Sequence, residues 1–188
     1  MFFRTVGNDV QLGLLTEVQA GALFALTDAC RNHLRPWLPW VDETRTVEDT
    51  KAFIRRSLQQ FADNNGFQAG IWYRGELAGV IGFHYLDWTN RRTEIGYWLA
   101  EHLQGRGIMT MACREMVDIA LRDYGLHRVE IRVAAENRKS RAIPERLGFV
   151  QEGVLRQAAW LYDRYVDVIV YSMLKRDWEM VSPQEVER

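Results

Sequence analysis

The sequence predicts an α/β fold, in which helices pack against a mixed, mostly antiparallel sheet. The 188 residues are 47% hydrophobic, which suits one sizeable core. Segments with alternating apolar residues follow one another through the middle of the chain, and segments with helical spacing lie before and after them. We expect a single domain over residues 1–180 and a polar C-terminal tail at 181–188 that is frayed.

A short pair of strands followed by two helices is predicted for the N-terminal part of the chain. Apolar residues recur at helical spacing in TEVQAGALFALTDACRNHL. Pro36 should end this first helix, because proline disfavours helical geometry in the residue before it. Thr46 and Asp49 stand in the register of a capping box, which predicts a second helix that stops at Gly66. The predicted inner face of this helix consists of Phe53, Ser57, Leu58 and Phe61.

A three-strand meander, then helix, strand, helix and strand, is predicted for the rest of the chain. Arg74 and Gly75 form a two-residue hairpin signal between FQAGIWY and ELAGVIGFHYL, and RTEIGYWLA alternates as the third strand. Helical spacing from Gly107 to Gly125 and the strand-like HRVEIRVA after it fit a parallel crossover. NRKSRAIPERLGF predicts a short helix, and RYVDVIVYSML, apolar on both faces, predicts a covered strand.

Charge, cysteine content and hydropathy exclude several classes of function. With 24 basic and 25 acidic residues, the chain lacks the positive excess of a nucleic-acid-binding protein. Cys30 and Cys113 stand far apart and the four histidines show no metal-ligand spacing, so we expect neither a disulfide framework nor a metal site. The start does not resemble a signal peptide and no apolar run predicts a membrane span. We expect a cytoplasmic protein that acts on a small molecule or a peptide.

The stretch YWLAEHLQGRGIMTMA carries the clearest functional signal. It runs from a strand through two glycines into a helix, and a helix start offers unpaired N–H groups and a positive dipole end to an anion. Glycine lets a phosphate approach the backbone closely. Residues 104–109 therefore predict an anion cradle, although taken alone the pattern also fits a turn with no ligand. The Walker A and dinucleotide-binding spacings are absent.

These residues resemble those of a known family. The segment Gln104-Gly105-Arg106-Gly107-Ile108 is similar to the Q/R-x-x-G-x-G/A pyrophosphate loop of the GNAT superfamily of acyl-CoA-dependent N-acyltransferases, and TEIGYWL looks like that family's fourth strand. Asn137, Ser140 and the run ERLGF resemble the N-x-x-S…E-x-x-G-F segment of the RimJ/RimL branch, which acetylates protein N-termini, including those of ribosomal proteins. The likeness runs in element order from about residue 10 to about residue 178.

The resemblance implies the GNAT fold, acetyl-CoA as the cofactor and a homodimer. The pantetheine arm of coenzyme A would run beside Trp98 and Leu99. Its pyrophosphate would lie on the backbone N–H groups of Gln104, Gly105, Arg106, Gly107, Ile108 and Met109. Met109 stands where the superfamily usually has glycine or alanine.

Three side chains are candidates for catalysis. Ser140 is the first choice to protonate the departing thiolate, and Asn137 would orient the pantetheine or a water molecule, although both residues also suit helix caps. Glu94 is the carboxylate available to take a proton from the amine, or else it is an ion-paired strand residue near the arginines at 91 and 92. The branch's proposed glutamate base corresponds to Ala159 here, so that base is absent.

A site that lacks this base favours an α-amine as acceptor. An α-amine is already roughly 10–20% neutral at pH 7, whereas a lysine is neutral only about once in 2,500. We therefore expect a protein N-terminus as the acceptor. Two alternatives remain open, namely a small amine such as an antibiotic, polyamine or aminoacyl-nucleotide, and a non-catalytic acyl-CoA-binding module.

The segment RPWLPW predicts a stiff loop between the two N-terminal helices, because Pro36 and Pro39 push the residues before them towards extended geometry. Trp37 and Trp40 either form a substrate-binding wall for the acceptor or act as packing anchors. A basic cluster next to Asn137 either meets the 3′-phosphate of coenzyme A or is a solvated helix face. It consists of Arg138, Lys139 and Arg141.

Overall fold

An eight-stranded sheet forms the centre of the molecule in the computed structural model, which describes residues 3–181. The strands are β1 (Phe3–Val6), β2 (Val10–Leu14), β3 (Phe67–Tyr73), β4 (Glu76–Asp87), β5 (Arg92–Leu99), β6 (Arg128–Ala134), β7 (Val150–Leu161) and β8 (Arg164–Leu174). Their spatial order is β1-β2-β3-β4-β5-β6-β8-β7. Among the described strands only β5 and β6 pair in parallel, so the predicted mixed, mostly antiparallel sheet is confirmed.

Helices cover both faces of this sheet. They are α1 (Ala20–Ala29), α2 (Arg31–Leu34), α3 (Val47–Ala62), α4 (Ile108–Asp118), α5 (Arg138–Arg146) and α6 (Lys175–Val181). The larger core lies between the sheet and α4, and a smaller core lies under α1 and α3 on the opposite face. Within residues 3–181, no helix has the length and apolar character needed to span a membrane.

The N-terminal helices differ in detail from the prediction. The first helical segment breaks at Cys30, whose φ of −107° and ψ of 9° lie outside helical values. The hydroxyl of Thr27 donates to the carbonyl of Leu23 one turn earlier, a contact that often bends helices. The segment then ends at Leu34, before Pro36, as predicted. In α3 the capping box forms as predicted, but the helix ends at Ala62 rather than at Gly66.

The predicted inner face of α3 is partly wrong. Its buried residues are Thr50, Ile54 and Ser57, whereas Phe61 is 39% exposed. Ile54 is the fully buried apolar position of the helix, and Phe53 and Leu58 are partly buried against the same core.

Two elements near the C-terminus were missing from the predicted order. β7 is the outer edge strand, exposed along most of its length, so it shows no alternation that the sequence could reveal. α6 packs against the larger core through Trp178, which is 1% exposed. α6 includes Val181, the first residue of the predicted tail, and the rest of that tail lies outside the described residues.

Candidate active site

A groove opens in the middle of the sheet where β5 and β6 separate. The two strands pair over only three residues on each side, 92–94 with 128–130. Beyond this point β5 pairs with β4 alone, while β6 pairs with β8. The edge of β5 from Ile95 to Leu99 thus has no strand partner on its β6 side within the described residues. Such an edge presents N–H and C=O groups to an extended ligand.

The predicted anion cradle lies at the start of α4. Gly105 and Gly107 have φ values of 75° and 76°, which an L side chain rarely adopts, so the loop needs glycine at both positions. Gly107 is the N-cap residue and offers no side chain to the N–H groups of the first turn. Ile108 and Met109 are buried, so the methionine points into the core and the helix start is tightly packed.

Side chains from two other elements hold this loop. The Nε2 of Gln104 lies 2.8 Å from the Nε2 of His33, and the Nζ of Lys139 donates to the Oε1 of Gln104 at 2.9 Å. Burial lowers the pKa of His33, so its ring nitrogen is available to accept from the amide. Of the predicted basic cluster, Lys139 therefore reaches the loop. Arg141 instead bonds the hydroxyl of Tyr171 at 3.0 Å.

Asn137 and Ser140 lie across the groove from β5, at the start of α5. The Oδ1 of Asn137 accepts from the backbone N–H of Ser140 at 3.2 Å, so Asn137 is a helix cap. The hydroxyl of Ser140 lies 3.4 Å from the hydroxyl of Tyr97 on β5. Burial raises the pKa of Tyr97 far above its usual range, which keeps this phenol protonated.

Glu94 is an ion-paired residue, but its partner is not the one considered from the sequence. One oxygen lies 3.3 Å from the Nε of Arg132, and the other lies 3.1 Å from the Nδ1 of His84. Arg132 also contacts Glu130 at 3.2 Å. Because both oxygens of Glu94 have partners, its carboxylate is not a free base. Sequence reasoning missed His84, which stands ten positions from Glu94 along the chain.

A cavity of about 390 Å³ lies between α1, α3 and the face formed by β4 and β5. Trp40 and Trp98 form part of its wall, with ring centroids 6.2 Å apart and planes at 52°. Glu43 and Phe53 also line it. Trp37 is half-buried and is not among the residues that surround this space. Trp40 therefore packs against Trp98 and faces the cavity, whereas Trp37 does not line the cavity.

The loop that carries these tryptophans is held by polar contacts as well as by its prolines. Arg31 donates to the carbonyls of Val41, at 2.6 Å, and of Thr44. The hydroxyl of Tyr162, at the tip of the β7–β8 hairpin, donates to the carbonyl of Leu38 at 2.7 Å. The predicted stiffness of the loop therefore also depends on contacts from α2 and from a distant hairpin.

The groove, the loop and Ser140 together fit coenzyme A. The uncapped start of α4 suits a pyrophosphate, and Ser140 lies on the opposite wall. The unpaired edge suits the amide-containing pantetheine, but its free backbone groups are those of Tyr97 and Leu99, since Trp98 pairs with Val80 of β4. Within residues 3–181, no strand pairs with this edge of β5 from Ile95 onwards. The arrangement can hold a thioester beside a cavity that admits an amine.

Comparison with known proteins gives four relevant matches. The sequence model of the acetyltransferase (GNAT) domain family matches residues 10–150. The putative ribosomal N-acetyltransferase YdaF of Bacillus subtilis is 38% identical over 180 residues, which cover 95% of this chain and 98% of that protein. The structure of RimL, the ribosomal L7/L12 α-N-protein acetyltransferase, in complex with coenzyme A is similar with a TM-score of 0.90 and 26% identity, covering 94% of this chain and 99% of that chain.

A further solved structure matches over a similar length. The microcin C7 self-immunity acetyltransferase MccE, in complex with acetyl-CoA and AMP, has a TM-score of 0.86 and 29% identity. The match covers 90% of this chain and 94% of that chain. Two proteins that resemble this chain in structure thus contain coenzyme A or its acetyl thioester.

Proposed function

This chain belongs to the GNAT acetyltransferase family and is an acetyl-CoA-dependent N-acetyltransferase, and from that premise we propose that it acetylates the N-terminal α-amine of a protein such as a ribosomal protein. YdaF is named a putative ribosomal N-acetyltransferase, and RimL an α-N-protein acetyltransferase of L7/L12. Family membership argues against the non-catalytic binding module that the sequence left open.

The observation that carries the proposal is the position of Trp98 between Tyr97 and Leu99. The backbone of Trp98 pairs with Val80 of β4, the backbone groups of Tyr97 and Leu99 face the unpaired side of β5, and the Trp98 side chain belongs to the wall of the cavity. The donor groove and the cavity therefore share a boundary. We assign the cavity to the acceptor, because an N-terminal residue placed there can bring its amine to that boundary. Glu43 in the cavity wall suits the positive charge of an approaching ammonium.

The chain's own groups divide the work as follows. Acetyl-CoA, when bound, supplies an activated thioester carbonyl. The N–H groups of residues 105–109 hold the pyrophosphate, whereas the N–H of Gln104 donates to the carbonyl of Glu101. The free edge of β5 at Tyr97 and Leu99 aligns the pantetheine, whereas the backbone of Trp98 faces β4. Ser140 holds the proton that the leaving sulfur requires, and Asn137 keeps Ser140 in place by capping α5. Glu94 acts on the amine side, through a partner considered below.

A small amine such as an aminoacyl-nucleotide is the second candidate acceptor. Two aromatic rings, those of Trp40 and Trp98, stand in the cavity wall and suit a planar ligand. MccE, which is 29% identical, was crystallised with acetyl-CoA and AMP. We prefer the protein N-terminus, because the matches with the two ribosomal acetyltransferases cover at least 94% of this chain.

We also propose that the protein is a homodimer. The outer hairpin formed by β7 and β8 exposes apolar side chains that a single chain leaves in water. They are Val154, Leu155, Trp160 and Tyr165. Light scattering of the purified protein gives its mass directly. A monomer at concentrations of about 100 μM would contradict the proposal.

An acceptor screen tests the proposed function. Release of coenzyme A is measured with peptides that carry a free N-terminus, with the same peptides N-blocked but containing lysine, and with polyamines and aminoacyl-nucleotides. We expect kcat/KM to be highest for the free N-termini, since an α-amine is neutral far more often than a lysine at pH 7. Equal turnover of the N-blocked lysine peptide would exclude the α-amine preference.

A further inference from the structure

We propose that His84 is the general base that takes the proton from the acceptor ammonium, and that Glu94 is the positioning residue of its imidazole. This inference rests on the proposed function, α-amine acetylation. In the reaction, the amine nitrogen forms its bond to the acetyl carbon as the carbon–sulfur bond breaks. One ammonium proton passes to the Nε2 of His84 before the nitrogen attacks. The sulfur receives a proton from Ser140, and the second proton, which the nitrogen loses as the amide forms, replaces the proton that Ser140 has given up.

A β-bulge places His84 next to Glu94. Phe83 pairs with Ile95 and Leu86 pairs with Thr93, so His84 and the residue after it both stand opposite Glu94. Bulges of this kind redirect a side chain and occur often beside active sites.

The backbone of the bulge is tied down by neighbouring side chains. The Nε2 of Gln60 on α3 donates to the carbonyl of His84 at 2.9 Å, and the hydroxyl of Thr93 donates to the carbonyl of Tyr85 at 2.6 Å. Both carbonyls would otherwise lack the partners that a regular ladder provides. The bulge is therefore a fixed feature that holds His84 in one place.

Gly96 allows the imidazole to lie directly on β5. A Cβ atom at Gly96 would stand 1.9 Å from the Nε2 of His84, so any side chain at this position would displace the ring. Alternate strand residues share a face, which puts Gly96 between Glu94 and Trp98 on the face that carries the cavity. Gly96 also lies in the part of β5 that does not pair with β6. The Nε2 of His84 thus lies over β5 at Gly96, two residues along the strand from Trp98 in the cavity wall.

The contact with Glu94 fixes which nitrogen of His84 carries the proton. An ionised carboxylate can only accept, so the Nδ1 of His84, 3.1 Å away, must donate to it. The neutral ring then keeps an unprotonated Nε2, which is the state that a general base requires. The side chain of His84 is 51% exposed and that of Glu94 is 15% exposed, so the imidazole rather than the carboxylate is within reach of an amine.

On the described elements, the charged groups beside the pair lie on β5 and β6. Glu94 on β5 faces the ring directly, Arg132 on β6 faces Glu94, and Glu130 lies behind Arg132. The side chains nearest to the pair on α3 and β3 are the neutral amides of Gln60 and Gln68. This arrangement supplies a substitute for the carboxylate missing at Ala159.

Kinetics of His84→Gln test the role in catalysis. We expect kcat/KM for a free-N-terminus peptide at pH 7 to fall on the order of 10²–10⁴-fold, and the deficit to narrow as pH rises and the amine loses its proton unaided. The affinity for coenzyme A, measured by calorimetry, should stay unchanged. His127→Gln is the matched control, because His127 is exposed and forms backbone hydrogen bonds with Arg91 and Lys175 that the substitution keeps. A deficit that stays constant with pH would overturn the proposal.

A second readout does not depend on turnover. Long-range ¹H–¹⁵N NMR reports which ring nitrogen of a histidine carries the proton. We expect the Nδ1–H form for His84 in the unmodified protein and loss of that preference in Glu94→Gln. A predominant Nε2–H form in the unmodified protein would overturn the proposal.

The two tests separate the possible failures. If the unmodified enzyme turns over small amines but no free-N-terminus peptide, the proposed function fails, and the NMR result still decides the pairing of His84 with Glu94. If the enzyme acetylates peptides and His84→Gln is as active as His127→Gln, the inference alone fails.

Discussion

The hydroxyl of Tyr97 on β5 donates a hydrogen bond of 3.0 Å to the backbone carbonyl of Ser140 in α5. In a regular helix this carbonyl would accept from the N–H of the residue four positions later, but that residue is Pro144, which has no N–H. Tyr97 therefore supplies the donor that the proline removes. The same contact joins the two walls of the groove and sets the distance between β5 and the Ser140 hydroxyl.

Tyr97→Phe should destabilise the protein by about 1 kcal/mol, because it removes the hydrogen bond to the part-buried Ser140 carbonyl. Urea unfolding measures the change. The control is the double variant Tyr97→Phe with Pro144→Ala, in which a helix N–H again faces the carbonyl, so the two changes should not add. Strict additivity of the two effects would show that the tyrosine does not replace the missing donor.

Ser140→Ala should lower kcat for a free-N-terminus peptide on the order of 10²-fold, because the leaving sulfur loses its proton donor. Affinity for coenzyme A and the melting temperature should change little. Thr89→Ala, which removes a hydroxyl from the exposed turn between β4 and β5, is the control. An unchanged kcat for Ser140→Ala would remove this residue from the mechanism.

Gly105→Ala and Gly107→Ala should each weaken coenzyme A binding on the order of tenfold, because a side chain disfavours the left-handed backbone that both positions adopt. Isothermal titration calorimetry gives the affinity. Gly153→Ala in β7 is the control, since it has open space around it and no positive φ. Equal effects at all three positions would point to a general loss of stability instead.

Acidification should destabilise the protein through His33. Burial lowers the pKa of His33 in the folded state, so the unfolded chain binds the proton more readily. The stability that depends on neutral His33 is present above about pH 6.5 and is lost as pH falls below that value. The difference in unfolding free energy between the unmodified protein and His33→Gln, measured from pH 7.5 to 5.5, should shrink. A constant difference would contradict this reading.

Trp40→Ala should raise the acceptor KM and also destabilise the protein by about 2 kcal/mol, less than the ~3–5 kcal/mol of a fully buried tryptophan, because Trp40 is half-buried. Steady-state kinetics and thermal unfolding measure the two effects. Trp37→Ala should leave the acceptor KM unchanged, since Trp37 does not line the cavity. If neither variant changes KM while both lose stability, the tryptophans are packing anchors only.

Local rules explain why some features could be predicted well. The glycines of the loop, the capping box at Thr46 and the hairpin at Arg74-Gly75 depend on backbone conformations that particular residues favour. Each of these signals lies within a few residues of chain. Their positions therefore followed from the sequence and are confirmed by the structure.

Contacts between distant segments could not be predicted in the same way. The sequence placed Glu94 on a strand but not beside His84, because one extra residue in β4 shifts the register, and register decides which side chains meet. The outer strand β7 was missed because it packs on only one neighbour and buries little. For Tyr97, a signal did exist: a proline inside the predicted helix leaves a carbonyl that needs a donor from elsewhere.

The sequence by itself thus determined the class of fold, the glycine-containing loop at the start of α4 and the two residues that open α5, since these depend on short-range backbone preferences. The tertiary structure decided where β5 and β6 part, which tryptophan faces the cavity and which side chain Glu94 holds. Those features depend on strand register and on packing between elements far apart in the chain, and no local pattern of residues specifies them.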